Sequence, residues 1–456
     1  MVGGWLRKPE EWGVEPVPPE KRNLRALDLG ILWFSLGVGL LVLFTGALLV
    51  SLGLSLFEVL VVSIVGSIVG SLMLAAAGRS GARHGVPTMV SLRPVLGRKA
   101  SWIPSGINAF QLFGWASFEL MIMGLGLTAI TRPFLGAATP YVWIAILTVW
   151  VTLLALGGPV VVVRQWLERV AVWLVIGGTL WLTYIVVTQP AFATEFFVPR
   201  SPANRPLGLA LDLVIVMPIS WWPLVADYNR FAARARDSFV GTFVGYTISN
   251  TWFYVLGAAT LVVFGFTALA TPIAFVGAVV ATGLGAIVLL AIIADETDNA
   301  FANVYSSAVS LQNIAPKARQ RGLILVASGI GFVAGSLLAS LGESFAIVYE
   351  GFLFFIGGIF VPLLGVMVAD QFVRRGYEPG EFADGSPSLK ILSLIAWVVG
   401  IVVYFALVGV SLAGASIVPQ VLASPIGASL PSFAIAAGVH ILASRLAAPA
   451  AGRAPP

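Results

Sequence analysis

The chain has 456 residues, of which 58% are hydrophobic and only 10% charged, with a mean hydropathy of +0.96 and a formal net charge of +5. Soluble domains carry about 25% charged residues, so this composition excludes a soluble globular protein and defines a polytopic membrane protein. With no cysteine and only His84 and His440, disulfides, thiolate chemistry and a multi-histidine metal centre are also excluded.

Residues 1–26 are polar and proline-rich, with no cleavable signal peptide in view, and read as a cytoplasmic segment. Twelve apolar runs follow, each long enough for a span of ~20 residues. They lie near 27–52, 55–78, 101–131, 139–157, 165–188, 208–229, 239–268, 273–306, 322–341, 345–371, 389–412 and 429–446. The units are 27–188 (spans 1–5), 208–371 (spans 6–10) and 389–446 (spans 11 and 12). An Ala/Pro-rich tail, 447–456, is expected to be disordered. With the N-terminus inside, only Arg132, Arg200 and Arg205 of the 26 Lys and Arg residues fall outside. The positive-inside rule therefore places both termini in the cytoplasm of a cell (inner) membrane protein. Basic residues confined to loops also give no reason to expect a nucleic-acid partner.

Two spans carry mid-membrane breaks. The first contains Trp33-Phe34-Ser35-Leu36-Gly37-Val38-Gly39-Leu40, and the sixth contains Met217-Pro218-Ile219-Ser220-Trp221-Trp222-Pro223. Glycine weakens a helix interior and proline removes a ladder donor. In lipid the freed backbone groups must find partners, so such breaks persist where they line a cavity. Their matching positions, each opening a set of five spans, point to a transporter's binding site.

The third span offers Asn108, Gln111, Trp115 and Glu119 at helical spacings of three and four, one face of a helix. An indole supplies a stacking plane, and a carboxylate one turn away supplies acceptors at the edge of a flat heterocycle. The eighth span holds the densest polarity, Ala294-Asp295-Glu296-Thr297-Asp298-Asn299-Ala300-Phe301-Ala302-Asn303. A carboxylate at bilayer depth costs ~2.5–3.5 kcal/mol on insertion scales, tolerable where it faces an ion, a polar substrate or a wet cavity. Asp295, Asn299 and Asn303 share one face, expected to meet substrate. Ala294 and Asp298 share another about 100° away, expected to meet a cation. The alternative for Asp295 and Glu296 is a helix end in the headgroups. Asp227 and Arg230, at i, i+3, read as a pair at the cytoplasmic helix end.

Gly114-Trp115 with Glu119, Trp221-Trp222-Pro223 leading to Asp227-Tyr228-Asn229-Arg230, and Thr297-Asp298-Asn299-Ala300-Phe301-Ala302-Asn303 together resemble the nucleobase–cation symporter family. The likeness covers essentially the whole chain and is greatest to the hydroxymethylpyrimidine and cytosine permease branch. It implies an all-α fold of twelve transmembrane helices, a LeuT-like five-plus-five inverted repeat with helices 1 and 6 broken. Spans 1, 2, 6 and 7 would move as a bundle against a scaffold of spans 3, 4, 8 and 9. It also implies that Trp115 stacks on the substrate ring, that Trp222 (or Trp221) packs near its other face, and that Glu119 and Asn303 bond the ring edge. Asn299 and Gln111 complete the expected substrate set. Gly37, Leu40, Ala294, Thr297 and Asp298 match the family's Na⁺ positions.

Two departures from the hydantoin-transporter pattern matter. Glu119 stands where those relatives carry glutamine, and an ionised carboxylate only accepts hydrogen bonds, which favours aminopyrimidines over oxo-pyrimidines. Asp298 stands where relatives place a hydroxyl, which suits Na⁺ but leaves H⁺ as the alternative coupling ion. The expected protein is thus not an enzyme but a symporter, working as a monomer. The competing readings are an H⁺-coupled purine, pyrimidine or thiamine permease, and an amine or amino-acid symporter of the same fold.

Overall fold

The computed structural model describes residues 12–135, 139–158, 172–201, 206–264, 272–281, 284–341, 345–374, 376–383, 387–412, 415–422 and 424–447. Residues 165–171 of the fifth expected span, 265–268 of the seventh and the tail from 448 lie outside them.

The spans appear as helices in the expected order. The first is split into Ala26–Leu36 and Leu40–Ser51, bent by 58° at Gly37–Gly39. Next come Leu56–His84, Trp102–Leu135, Pro140–Gly157 and Val172–Val187. The second span starts on a capping box in which Ser55 and Glu58 satisfy each other's backbone N–H, and it stops at Gly85, whose φ of 73° a side chain would resist. The sixth span runs as Leu207–Trp221, tightens into a 3₁₀ turn over Trp222–Leu224 and resumes as Val225–Asn229. Ala235–Phe264 is the seventh. Gln320–Leu338, Phe345–Arg374, Ile391–Val408 and Ser429–Ala447 are the ninth to twelfth. A two-stranded antiparallel hairpin, Val410–Leu412 with Ala415–Val418, fills part of the apolar connection between the last two spans.

The eighth span differs from its expected bounds. A short helix, Pro272–Ala281, precedes it, Leu284 adopts a left-handed φ of 59°, and the span itself is Gly285–Ile314. Asp295 therefore lies about 15 Å into a 30-residue helix. It is buried, as are Glu296 and Asp298, so the headgroup alternative does not hold.

Packing sorts the helices into two groups. Spans 1, 2, 6 and 7 pack on one another, and spans 3, 4, 8 and 9 form a second set. Within the first group small residues bring backbones into direct contact, the usual device where lipid removes the hydrophobic driving force. A Cβ on Gly257 of the seventh span would collide with the Leu43 carbonyl, and one on Gly46 with the Tyr254 carbonyl. Gly257→Ala is expected to destabilise the fold by about 1–3 kcal/mol through overpacking. A thermal melt unchanged by that substitution would show that the helices do not approach so closely.

The N-terminal segment is built into the fold. Val17 donates its N–H to the Gly85 carbonyl (2.8 Å), and Leu24, just before span 1, donates to the Phe231 carbonyl (3.0 Å) and accepts from the Ala233 N–H (2.8 Å), both just after span 6. The Arg22 guanidinium reaches the carbonyls of Val17 and His84. Arg230 is buried but makes no ion pair with Asp227. Its side chain donates to the Gly13 and Asp227 carbonyls and the Tyr305 hydroxyl. The Asp227 carboxylate accepts instead from the Thr88 N–H (3.1 Å).

Candidate functional site

The break in span 1 frees backbone groups at membrane depth, and span 8 supplies their partners. One turn of that helix makes three contacts on the break. Ser35 donates to Asp295 Oδ1 (2.5 Å), the Leu40 N–H donates to Glu296 Oε2 (2.8 Å), and Asn299 Nδ2 donates to the Val38 carbonyl (2.9 Å). Glu296 thus places an anion on the N-terminus of the helix half beginning at Leu40, where the helix dipole favours it. The approach is close: a Cβ on Gly39 would stand 3.0 Å from Glu296 Oε2 and 3.3 Å from Asn299 Nδ2. Glycine is needed at that point for contact.

The break in span 6 is served by span 3. Asn108 Nδ2 donates to the Pro223 carbonyl (3.2 Å) and to Ser310 Oγ (2.8 Å). Gln111 Nε2 donates to the Ser220 carbonyl (3.1 Å) and to Asn108 Oδ1 (2.7 Å). The two helix groups are therefore joined at depth by hydrogen bonds onto the two breaks.

Trp115 and Glu119 lie one turn apart beside these contacts. Trp115 is 5% exposed, its ring meets Phe118, Tyr349 and Phe352 edge-on, and its indole N–H has no partner. Gly114 makes room for Phe352, whose ring would stand 2.7 Å from an added Cβ. Glu119 Oε2 has no hydrogen-bond partner, and the carboxyl lies against that of Glu296 and near the hydroxyls of Tyr246 and Tyr349.

Of the residues expected at the substrate, Trp115 and Glu119 of span 3 and Asn299 of span 8 lie about the contacts on the span 1 break. Asn303 is buried with its Nδ2 unpartnered. Gln111 is close, but its amide nitrogen is spent on the span 6 carbonyl, leaving only Oε1 free. Trp222 packs away from this region. It is 0% exposed, its indole donates to the Phe360 carbonyl (3.0 Å), and its ring packs edge-on against Phe360 of the tenth span. Trp221 is the ring turned toward the breaks, 6% exposed and edge-on to Trp33 at 6.3 Å. On span 8 the acids divide differently from the expected faces. Asp295 joins Asp298 beside Ser35, while Glu296 turns toward Glu119. Ser35, Tyr246, Tyr349 and Thr45, whose hydroxyl lies 3.0 Å from that of Tyr349, escaped the sequence reading. Nothing in the local pattern of these spans marks which polar group will face the site.

Among the expected cation positions, both Asp298 oxygens and Asp295 Oδ2 lack partners. The Thr297 hydroxyl donates to the Ala294 carbonyl (2.8 Å), and both oxygens keep a lone pair. Gly37 lies in the adjoining break and Leu40 opens the helix after it. Among the described residues no three His, Asp or Glu side chains converge as a multidentate metal cluster. Orphaned carboxylate oxygens beside carbonyls and hydroxyls fit a hard cation rather than a soft, thiolate- or imidazole-bound metal.

Two broken spans meeting at a buried polar site, between two helix groups held together mainly at that site, define a secondary carrier. Its fold resembles that of a nucleobase-cation-symport-1 family transporter in a closed conformation with bromovinylhydantoin bound, with a TM-score of 0.79 at 17% identity over 96% of this chain and 95% of that one. A Na⁺-coupled sialic acid symporter shares the fold at a TM-score of 0.63 and 14% identity, over 94% and 92%. The sequence model of the family described as permeases for cytosine/purines, uracil, thiamine and allantoin matches residues 16–426, and the chain belongs to that family. It is 26% identical to the cytosine permease of Escherichia coli (strain K12), over 80% of this chain and 81% of that one. It is also 26% identical to the purine-uracil permease of Arabidopsis thaliana, over 85% and 70%. These relatives are permeases, in keeping with a protein that is not an enzyme.

Proposed function

We propose that the protein is a symporter of the cell membrane, with both termini cytoplasmic, that imports an aminopyrimidine such as hydroxymethylpyrimidine or cytosine by alternating access coupled to Na⁺. The observation that carries the substrate class is the pairing of Trp115, with its free indole N–H, and the acceptor-only carboxylate of Glu119 one turn later. A ring stacked on Trp115 and covered by Trp221 would present its amino edge to Glu119 and Asn303. Each neutral hydrogen bond contributes ~0.5–1.5 kcal/mol, which with stacking makes micromolar affinity reasonable. The free oxygens of Asp298 and Asp295 beside Ala294, Thr297 and the span 1 break support the coupling cation. The protein is read as working as a monomer.

The test is a tryptophan-fluorescence titration of purified protein with cytosine, hydroxymethylpyrimidine, thiamine, adenine, uracil and hydantoin, each with and without Na⁺ at two pH values. Quenching by an aminopyrimidine that tightens with Na⁺ is the expected result. Tightening with pH alone would replace Na⁺ by H⁺, and preference for uracil would overturn the role given to Glu119. No quenching by any ring would leave an amine symporter of this fold as the better reading.

A further inference from the structure

Glu296 belongs to neither expected set, yet it is the acid that joins them. It is fully buried. One oxygen caps the Leu40 N–H in the span 1 break, and its carboxyl lies against that of Glu119. Glu119 Oε2 and Glu296 Oε1 have no donor between them. The buried basic side chains among the described residues are engaged elsewhere: Arg93 on Asn313 and the Phe382 carbonyl, Arg230 on Gly13 and Tyr305, His440 on Asp370. Two buried carboxyl groups side by side with no basic side chain between them make a site for a positively charged donor, because an ionised carboxylate only accepts hydrogen bonds. The Trp115 ring lies one turn before Glu119, its N–H also unpartnered, and an indole face is the aromatic surface that best attracts a cation.

Resting on the carrier reading above, we propose that Glu119 and Glu296 form a two-carboxylate pocket that selects its substrate as a monocation. The ligand is a heteroaromatic ring whose amidine edge carries a positive charge shared between a ring N–H and an exocyclic amino group. One N–H meets each carboxylate, and the ring stacks on Trp115. Because Glu296 also caps Leu40, the bound cation is tied to the helix half that starts at the break. Glu296 is thus both a substrate-binding and a specificity-determining residue.

The experiment is calorimetric titration of the purified full-length protein, at one pH and fixed Na⁺, with 4-aminopyrimidines whose substituents grade the ring basicity. The matched 4-oxo compound serves as the neutral control. The cationic members should bind about 10- to 100-fold tighter than the oxo analogue, the loss expected for one charge-assisted hydrogen bond. Affinity should climb with ligand basicity along the series. Glu296→Gln keeps an acceptor for Leu40 and the size of the side chain, and should cut the ratio of cation to oxo-analogue affinity toward unity. If rings bind but affinity ignores their basicity, or Glu296→Gln discriminates as before, the two-carboxylate pocket is wrong and the carrier reading stands. If no ring binds, both fall. The basicity series on the unaltered protein decides the matter even where the variant fails to fold.

Discussion

Replacing Trp115 by alanine should weaken substrate binding about 5- to 150-fold, the range set by ~1–3 kcal/mol for one base–aromatic stack. The ring is nearly buried and held by edge-on contacts from Phe118, Tyr349 and Phe352. Alanine therefore removes both the stacking plane and part of the wall. Two controls separate these effects. Trp115→Phe retains a π face and should recover most of the affinity while losing the indole N–H. The thermal midpoint reports the packing loss independently. Uptake of labelled ligand into proteoliposomes, or calorimetry, is the readout, because the fluorescence signal goes with the indole. An alanine variant with unchanged affinity would remove Trp115 from the substrate site.

The second large effect is expected at Asp298. If Na⁺ binding and substrate binding are coupled through the span 1 break, Na⁺ should raise substrate affinity by about 5- to 150-fold, the usual 1–3 kcal/mol of coupling. Both Asp298 oxygens are buried without partners beside Ser35. Asp298→Asn keeps the shape but removes the charge that would offset the cation. The ratio of affinities with and without Na⁺ should fall to near one, while affinity without Na⁺ changes little. Linkage requires the reciprocal result as well: substrate should no longer tighten Na⁺ binding in the variant. A ratio that survives in Asp298→Asn would place the cation elsewhere. A wild-type ratio of one with a pH-dependent affinity would make H⁺ the coupling ion.

The two variants probe different halves of one contact surface. Ser35–Asp295, Leu40–Glu296 and Val38–Asn299 tie the first helix group to the second at span 1, and Gln111–Ser220 and Asn108–Pro223 do so at span 6. Outside these bonds the two groups share few contacts. Rocking of one group against the other would thus have to rearrange the groups that touch ligand and cation, which is how binding energy can bias a conformational equilibrium.

Composition and apolar run length alone determined that the chain is a bundle of membrane helices. The reason is that lipid leaves a chain few options: every backbone group must be satisfied within a helix, and each span must match one thickness. The breaks at Gly37–Gly39 and Trp222–Pro223, and the acids of span 8, were legible for the same reason, since each violates the apolar pattern at a cost. Tertiary structure alone decided which group meets which. Helical periodicity gives the angle between Asp295, Glu296 and Asp298 but not what stands opposite each. All three are buried because span 8 is surrounded, so an amphipathic face carries no information there. Trp221 and Trp222 could not be separated in sequence because the helix tightens to a 3₁₀ turn at Trp222, where each residue rotates by about 120° rather than 100°. The direction of the next side chain then cannot be extrapolated from the turns before it. Glu296 was unreadable for a further reason: its partners, the Leu40 N–H and the Glu119 carboxyl, lie far away in sequence, and only the folding of spans 1, 3 and 8 onto one another brings the three together.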